Sequence, residues 1–244
     1  MKKAGNIIYK IHEFCIALPI FVIVTIITAL IIIAASLLGD KNVVCGILTK
    51  WWSRITCRIF LLGIEVQGNE LLDKKQSYVF LANHQGYFDI FLTYGYLGHN
   101  FKWMMKEYLR KIPFVGLACQ CSGQIYVGDS RVSIAKAIKQ SQDTLQNGLS
   151  MVIFPEGTRT YDGKMNEFKR GAFMLANEIG LPIVPMTING SFYVFNRKAK
   201  SVNRGTLKLF VHKPITSDYY QKRPTKVFMQ EVWEIINSKL EPTA

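Results

Sequence analysis

Apolar and polar positions divide the chain into stretches of different period. Phe14 to Leu38 is an almost uninterrupted apolar run without a charge. As a helix it measures about 37 Å, against a bilayer hydrocarbon core of about 30 Å. From 43 to 62 the pattern changes: Val44, Leu48, Trp51, Ile55, Ile59 and Leu62 recur at intervals of three and four, while Lys50, Arg54 and Arg58 line another face. That period predicts an amphipathic helix. Its apolar stripe equally serves an interfacial helix, with Trp51 and Trp52 at headgroup level, and a helix packed on a globular domain. Further along, apolar runs at 77–82, 123–127, 150–154, 182–188 and 205–212 alternate with helix-period segments at 88–96, 131–146, 168–179 and 224–240. The alternation predicts an α/β domain over 65–244, a largely parallel sheet flanked by helices, preceded by an N-terminal membrane-associated two-helix element over 1–64. Gly180 and Pro182 end the 168–179 helix, and Asn189 to Arg204 reads as a basic loop or lid.

With 49% hydrophobic residues in 244, the chain can bury one sizeable core. Lys2, Lys3 and Lys10 precede the apolar run as in a signal peptide. The run is longer than a normal signal core and Ala34-Ala35-Ser36 is a poor cleavage site, so a retained anchor is expected. Thirty Lys and Arg against seventeen Asp and Glu give +13, which fits nucleic acid, anionic lipid or an acidic partner. The anchor selects anionic membrane lipid and argues against nucleic acid. Basic residues flank the first helix on both sides, at Lys2, Lys3 and Lys10 and at Lys41, Lys50, Arg54 and Arg58. Both ends are therefore expected on the cytoplasmic face, in a monotopic arrangement, with a single span as the alternative and Pro19 as a candidate kink. Five cysteines, with Cys119 and Cys121 as the close pair, give neither a disulfide framework nor a metal motif; that pair reads as small apolar residues on a strand approach. Lys136 and Lys139 read as a solvated helix face.

Two segments carry candidate chemistry. In Asn83-His84-Gln85-Gly86-Tyr87-Phe88-Asp89 a histidine and an aspartate follow a strand-like run. On one helix, residues five apart point about 140° away from each other, so the pair meets only across a turn. Gly86 is expected to supply that turn through a positive φ, with Asp89 starting the next helix. A carboxylate on one imidazole nitrogen makes the other a general base. The second segment, Phe154-Pro155-Glu156-Gly157-Thr158-Arg159, leaves a short buried strand; its turn is expected to expose Glu156 and to offer Arg159 to an anion. Taken singly, a loop histidine with a helix-capping aspartate, and a surface salt bridge, are the favoured readings of the two segments.

Together and in this order, the segments resemble the glycerolipid acyltransferase family, in particular 1-acyl-sn-glycerol-3-phosphate acyltransferases. Lys106, Leu109, Pro113 and Gly116, then Gly123 to Val127, Phe168 to Ala172 and Leu181 to Pro185 are similar to further family blocks. Gly86 departs from the usual serine, and Asp129 from a usual arginine that Arg131 is placed to replace. The resemblance implies acyl transfer from a thioester to the hydroxyl of 1-acyl-sn-glycerol-3-phosphate, giving phosphatidate. His84 and Asp89 would be catalytic, and Lys106, Glu156, Gly157, Thr158 and Arg159 would bind substrate, Glu156 bonding the glycerol or bracing Arg159. No cofactor or metal is implied; acyl-CoA or an acyl carrier protein thioester is a co-substrate. The expected partners are a lysophospholipid, the acyl thioester and membrane lipid, at the cytoplasmic face of a bacterial inner membrane. Glycerol-3-phosphate, another lysophospholipid or a lyso-ornithine lipid are alternative acceptors. A non-catalytic basic scaffold or nucleic-acid binder is the reading from another class.

Overall fold

The fold comes from a computed structural model, which describes residues 2–36, 41–128 and 130–242. Helix α1 (Lys2–His12) runs into a π-turn (Glu13–Ala17) and then α2 (Leu18–Ala35). Pro19 stands in the first turn of α2; a proline cannot bond four residues back, and the wider π-turn before it accommodates the ring. Ile7–Ala35 is long and apolar enough to cross a membrane, and little of it is covered by the rest of the chain. The end of the apolar run, at Leu38, and the Gly39-Asp40 flank lie outside the described residues.

Helix α3 (Lys41–Ile59) is the amphipathic segment. It packs: Ser53, Thr56 and Cys57 are buried, Arg54 Nε donates to Gly95 O at 2.8 Å, and Trp52 Nε1 donates to Thr25 Oγ1 of α2 at 2.9 Å. Among the described side chains of α3, the interfacial alternative keeps the exposed Ile47 and Trp51; Val44 lies outside them.

A seven-stranded sheet follows, in the order β1-β7-β6-β2-β5-β3-β4. Its strands are β1 (Gly63–Gln67), β2 (Val79–Ala82), β3 (Phe101–Lys106), β4 (Ile125–Val127), β5 (Ser150–Ile153), β6 (Ile183–Asn189) and β7 (Thr206–Val211). All neighbours are parallel except β6 and β7. Helices α4 (Asp89–Tyr96), α5 (Val115–Cys121), α6 (Arg131–Thr144), α7 (Arg170–Ile179), α8 (Ser191–Phe195), α9 (Ser217–Gln221) and α10 (Thr225–Asn237) complete the fold. β1 and β3 were not among the expected strands, and Cys119 and Cys121 lie in α5 rather than on a strand approach. Lys136 and Lys139 are exposed on α6, as a solvated face requires.

Alternate strand positions supply two cores, as a sheet covered on both faces demands. Val79, Leu81, Met151, Ile153 and Ile183 pack with Phe173, Phe228 and Val232 on one face. Phe80, Ala82, Val152, Val184 and Met186 pack on the other with Phe88, Phe91 and, from the N-terminal helices, Ala17, Cys57 and Phe60. Phe21 of α2 meets Phe60 and Phe91 edge-on at 6.0 and 5.8 Å. The apolar helix thus contributes to this second core as well as presenting an apolar outer face.

Candidate active site

β2 and β5 are parallel neighbours, with Leu81 paired to Ile153. The two motifs therefore leave the sheet side by side at its carboxyl edge, where open α/β sheets form ligand crevices. Asn83 fixes the first loop: its Nδ2 donates to Ile188 O at 2.8 Å, and its Oδ1 accepts from Ile188 N at 2.7 Å. The chain then turns so that His84 Nδ1 lies 2.6 Å from Oδ2 of Asp89, which is fully buried at the start of α4. The same oxygen accepts from Gln85 N at 2.8 Å and Gly86 N at 3.0 Å, so the carboxylate holds both the imidazole and the turn that delivers it. The ring stacks on Phe154 at 3.8 Å and 4°, and Phe154 stacks in turn on Trp103.

Gly86 does not take the positive φ expected of it. Its lack of a side chain serves close approach instead: a Cβ there would lie 2.6 Å from Ser191 O and from Ser191 Oγ, and 2.9 Å from Phe195 O. Helix α8 occupies that space.

Glu156 is also placed differently from the expectation. It is 2% exposed and does not line the cavity described below. Its Oε1 accepts from His84 N at 2.6 Å, and its Oε2 accepts from Asn166 N at 2.8 Å and Asn166 Nδ2 at 2.7 Å. Thr160 N donates to His84 O at 2.9 Å. The acid thus ties the second motif to the backbone of His84. Burial pushes its carboxyl up to about 7, outweighing the N–H bonds that pull it down. Gly157, at φ 69°, makes the turn above it.

A cavity of about 670 Å³ opens at His84. Its apolar wall includes Ile90, Trp103, Leu109, Ile134 and Leu175, with Thr25, Thr28, Ala29 and Ile32 contributed by α2. Its mouth holds Lys106, Gly157, Thr158 and Arg159, as the motif predicted, together with Tyr87, Lys169 and Arg197, which sequence reasoning missed. The Arg159 guanidinium lies 3.6 Å from the Tyr87 ring centroid, a cation–π contact that fixes it at the mouth. No Asp or Glu lines the cavity among the described residues. Arg131, at the start of α6, does not line it either, and Asp129 lies outside the described residues.

The site is thus a His–Asp pair at 2.6 Å, its aspartate buried, facing an apolar cavity with a cationic mouth. Residues 63–189 match the Acyltransferase family, and the chain belongs to it. It is similar to the chloroplastic 1-acyl-sn-glycerol-3-phosphate acyltransferase BAT2 of Brassica napus, 31% identical over 172 residues, covering 69% of this chain and 49% of that protein. The 1-acyl-sn-glycerol-3-phosphate acyltransferase of Helicobacter pylori is 30% identical over 195 residues, covering 75% of this chain and 82% of that protein. The chain spans about half the length of the plant relatives it matches. In fold it is like the crystal structure of the 1-acyl-sn-glycerophosphate (LPA) acyltransferase PlsC from Thermotoga maritima, with a TM-score of 0.80 over all of both chains at 22% identity.

Proposed function

We propose that the protein transfers a fatty acyl group from an acyl thioester to the free hydroxyl of 1-acyl-sn-glycerol-3-phosphate, forming phosphatidate. One observation carries this reading: a His–Asp pair at 2.6 Å opens into an apolar cavity with a cationic mouth. The names of the Brassica and Helicobacter relatives support the choice of acceptor.

His84 Nε2 takes the proton from the acceptor hydroxyl as that oxygen attacks the thioester carbonyl. Nδ1 keeps its proton toward Asp89, whose charge stabilises the imidazolium. Collapse of the tetrahedral adduct breaks the C–S bond, and the imidazolium returns its proton to the leaving thiolate, giving ester and free thiol. Transfer is direct. Cys119, a thiol on the cavity wall, is pushed up to about 11 by burial, so it lacks the thiolate a nucleophile needs at neutral pH. General acid–base help supplies about 10²–10⁴ in rate, and holding both substrates in register in the cavity supplies the rest. Arg159 and Lys106 take the acceptor's phosphate, and Gly157 and Thr158 shape the turn beneath it. The donor is an acyl-CoA or acyl carrier protein thioester, and no cofactor takes part.

The uncovered apolar face of the first helix holds the protein in the membrane, at its cytoplasmic face, with anionic lipid against the flanking cations. The test uses purified protein, a labelled acyl-CoA and a panel comprising 1-acyl-sn-glycerol-3-phosphate, glycerol-3-phosphate, other lysophospholipids and lyso-ornithine lipid. Phosphatidate is the expected main product, and His84→Ala is expected to abolish it while remaining folded and membrane-bound. Substantial turnover by that variant removes the base assignment.

A further inference from the structure

The basic segment from Asn189 to Arg204 is fastened at both ends. At its start, α8 sits against the dyad loop: Tyr87 N donates to Phe195 O at 3.2 Å, and the Tyr87 and Phe195 rings lie 5.1 Å apart. At its far end the first helix clasps it. Val202 N donates to Glu13 Oε1 at 2.5 Å, and Lys10 Nζ donates to Val202 O at 3.0 Å and also to Ser201 Oγ. Arg197 stands between these fixings. Its Nη1 donates to Thr158 Oγ1 at 2.9 Å and to Arg159 O at 3.4 Å, and its guanidinium lies 4.2 Å from the Tyr161 ring centroid.

Those bonds engage one nitrogen. Nε and Nη2 have no acceptor among the described residues, while the side chain lines the cavity mouth. An arginine steadied through one nitrogen, with two nitrogens unengaged in a side chain that lines a cavity, suits two-point capture of a phosphate. Arg159 and Lys169 line the same mouth around Gly157 and Thr158, and among the described residues no Asp or Glu lines it with them. Three cations at one turn exceed the single charge of a phosphodiester and suit a phosphate monoester, which carries about −1.5 to −2 at neutral pH.

We propose that Arg197 is a specificity-determining residue that grips the acceptor's phosphate monoester together with Arg159, selecting against lysophospholipids whose phosphate is a diester. The inference rests on the acyl-transfer reading above. The parent protein, Arg197→Gln and Arg197→Lys are compared with one acyl-CoA and two acceptors, 1-acyl-sn-glycerol-3-phosphate and a lysophosphatidylglycerol of the same acyl chain. Arg197→Gln is expected to raise the KM for the monoester about tenfold or more, with kcat, the donor KM and the melting temperature nearly unchanged. The preference for monoester over diester falls by a similar factor, and Arg197→Lys recovers part of it. An unchanged acceptor KM overturns the inference. So does a rise confined to the acyl-CoA KM, which assigns the arginine to the donor's phosphates. If the parent protein acylates neither acceptor, the acyl-transfer reading itself falls, and this inference with it.

Discussion

Replacing Gly86 by serine tests how tightly α8 is set against the dyad loop. A Cβ at this position meets Ser191 O and Oγ at 2.6 Å and Phe195 O at 2.9 Å. Carbon contacts are comfortable from about 3.5 Å, so α8 must retreat by about 1 Å. Two of the three atoms are backbone carbonyls, which no change of rotamer can move aside. Overpacking of this kind costs about 1–3 kcal/mol, and the retreat stretches the 3.2 Å bond from Tyr87 N to Phe195 O and carries Arg197 with it. A displacement of about 1 Å at a positioning group can cost as much as 10²-fold. We therefore expect Gly86→Ser to melt at a lower temperature in detergent and to raise the KM for the acceptor at least tenfold, acceptor and donor being varied separately. Ser191→Ala removes the one side-chain atom in the clash. Combined with Gly86→Ser it should recover part of the loss, with a coupling of about 0.5–3 kcal/mol. A Gly86→Ser protein with parental melting and parental KM would refute the account of why glycine stands here.

Two further outcomes follow from the buried acids. Asp89→Asn keeps an oxygen for the Gln85 and Gly86 amides but loses the charge that stabilises the imidazolium. It also buries an NH2 where Oδ1 has no partner, so it should lose about 1–3 kcal/mol of stability and about 10²–10⁴ in acyl transfer. Asp89→Ala strands both amides and should be the less stable of the two. Parental kcat/KM in the Asn variant removes the dyad. Glu156 is raised from 4.5 to about 7 in the folded protein. The folded state therefore binds the extra proton over that interval, so the contribution of Glu156 to stability is fully present below pH 4.5 and is lost as pH rises to 7. Linkage puts the fall at about 3 kcal/mol. Chemical unfolding at pH 5 and 7.5 should show it in the parent and not in Glu156→Gln; equal slopes in both proteins contradict the assignment.

The central strands were legible because a strand buried on both faces is apolar nearly throughout, as Val79 to Ala82 and Ile183 to Met186 are. β3 was not: Lys102 and Lys106 interrupt its pattern, although Lys102 is 3% exposed and donates its Nζ to Ser122 O at 2.5 Å. β1 was hidden for the opposite reason, being an edge strand with little burial. Within the site, spacing located His84, Asp89 and Arg159, because motif order is a property of the chain. It misjudged Glu156, since a Pro-Glu-Gly turn looks exposed until the His84 amide and Asn166 are seen folding over it. It gave no weight to Phe154, whose stacking under the imidazole depends on the pairing of β2 with β5. Arg197 could be noticed only as part of a basic segment; what it faces is decided by α8, a five-residue helix too short to have a readable period.

An anchor that merely tethers a protein can be exchanged for any other hydrophobic segment. α2 cannot, because Thr25, Thr28, Ala29 and Ile32 form part of the cavity wall while the opposite side of the same helix faces outward. Clipping it off to obtain a water-soluble enzyme would open the cavity rather than free it. The two sides of the helix meet different requirements: the outward side need only be apolar, whereas the inward side must also fit the shape of the cavity. Redesigning the outer face of this helix and reshaping the cavity are therefore not independent problems.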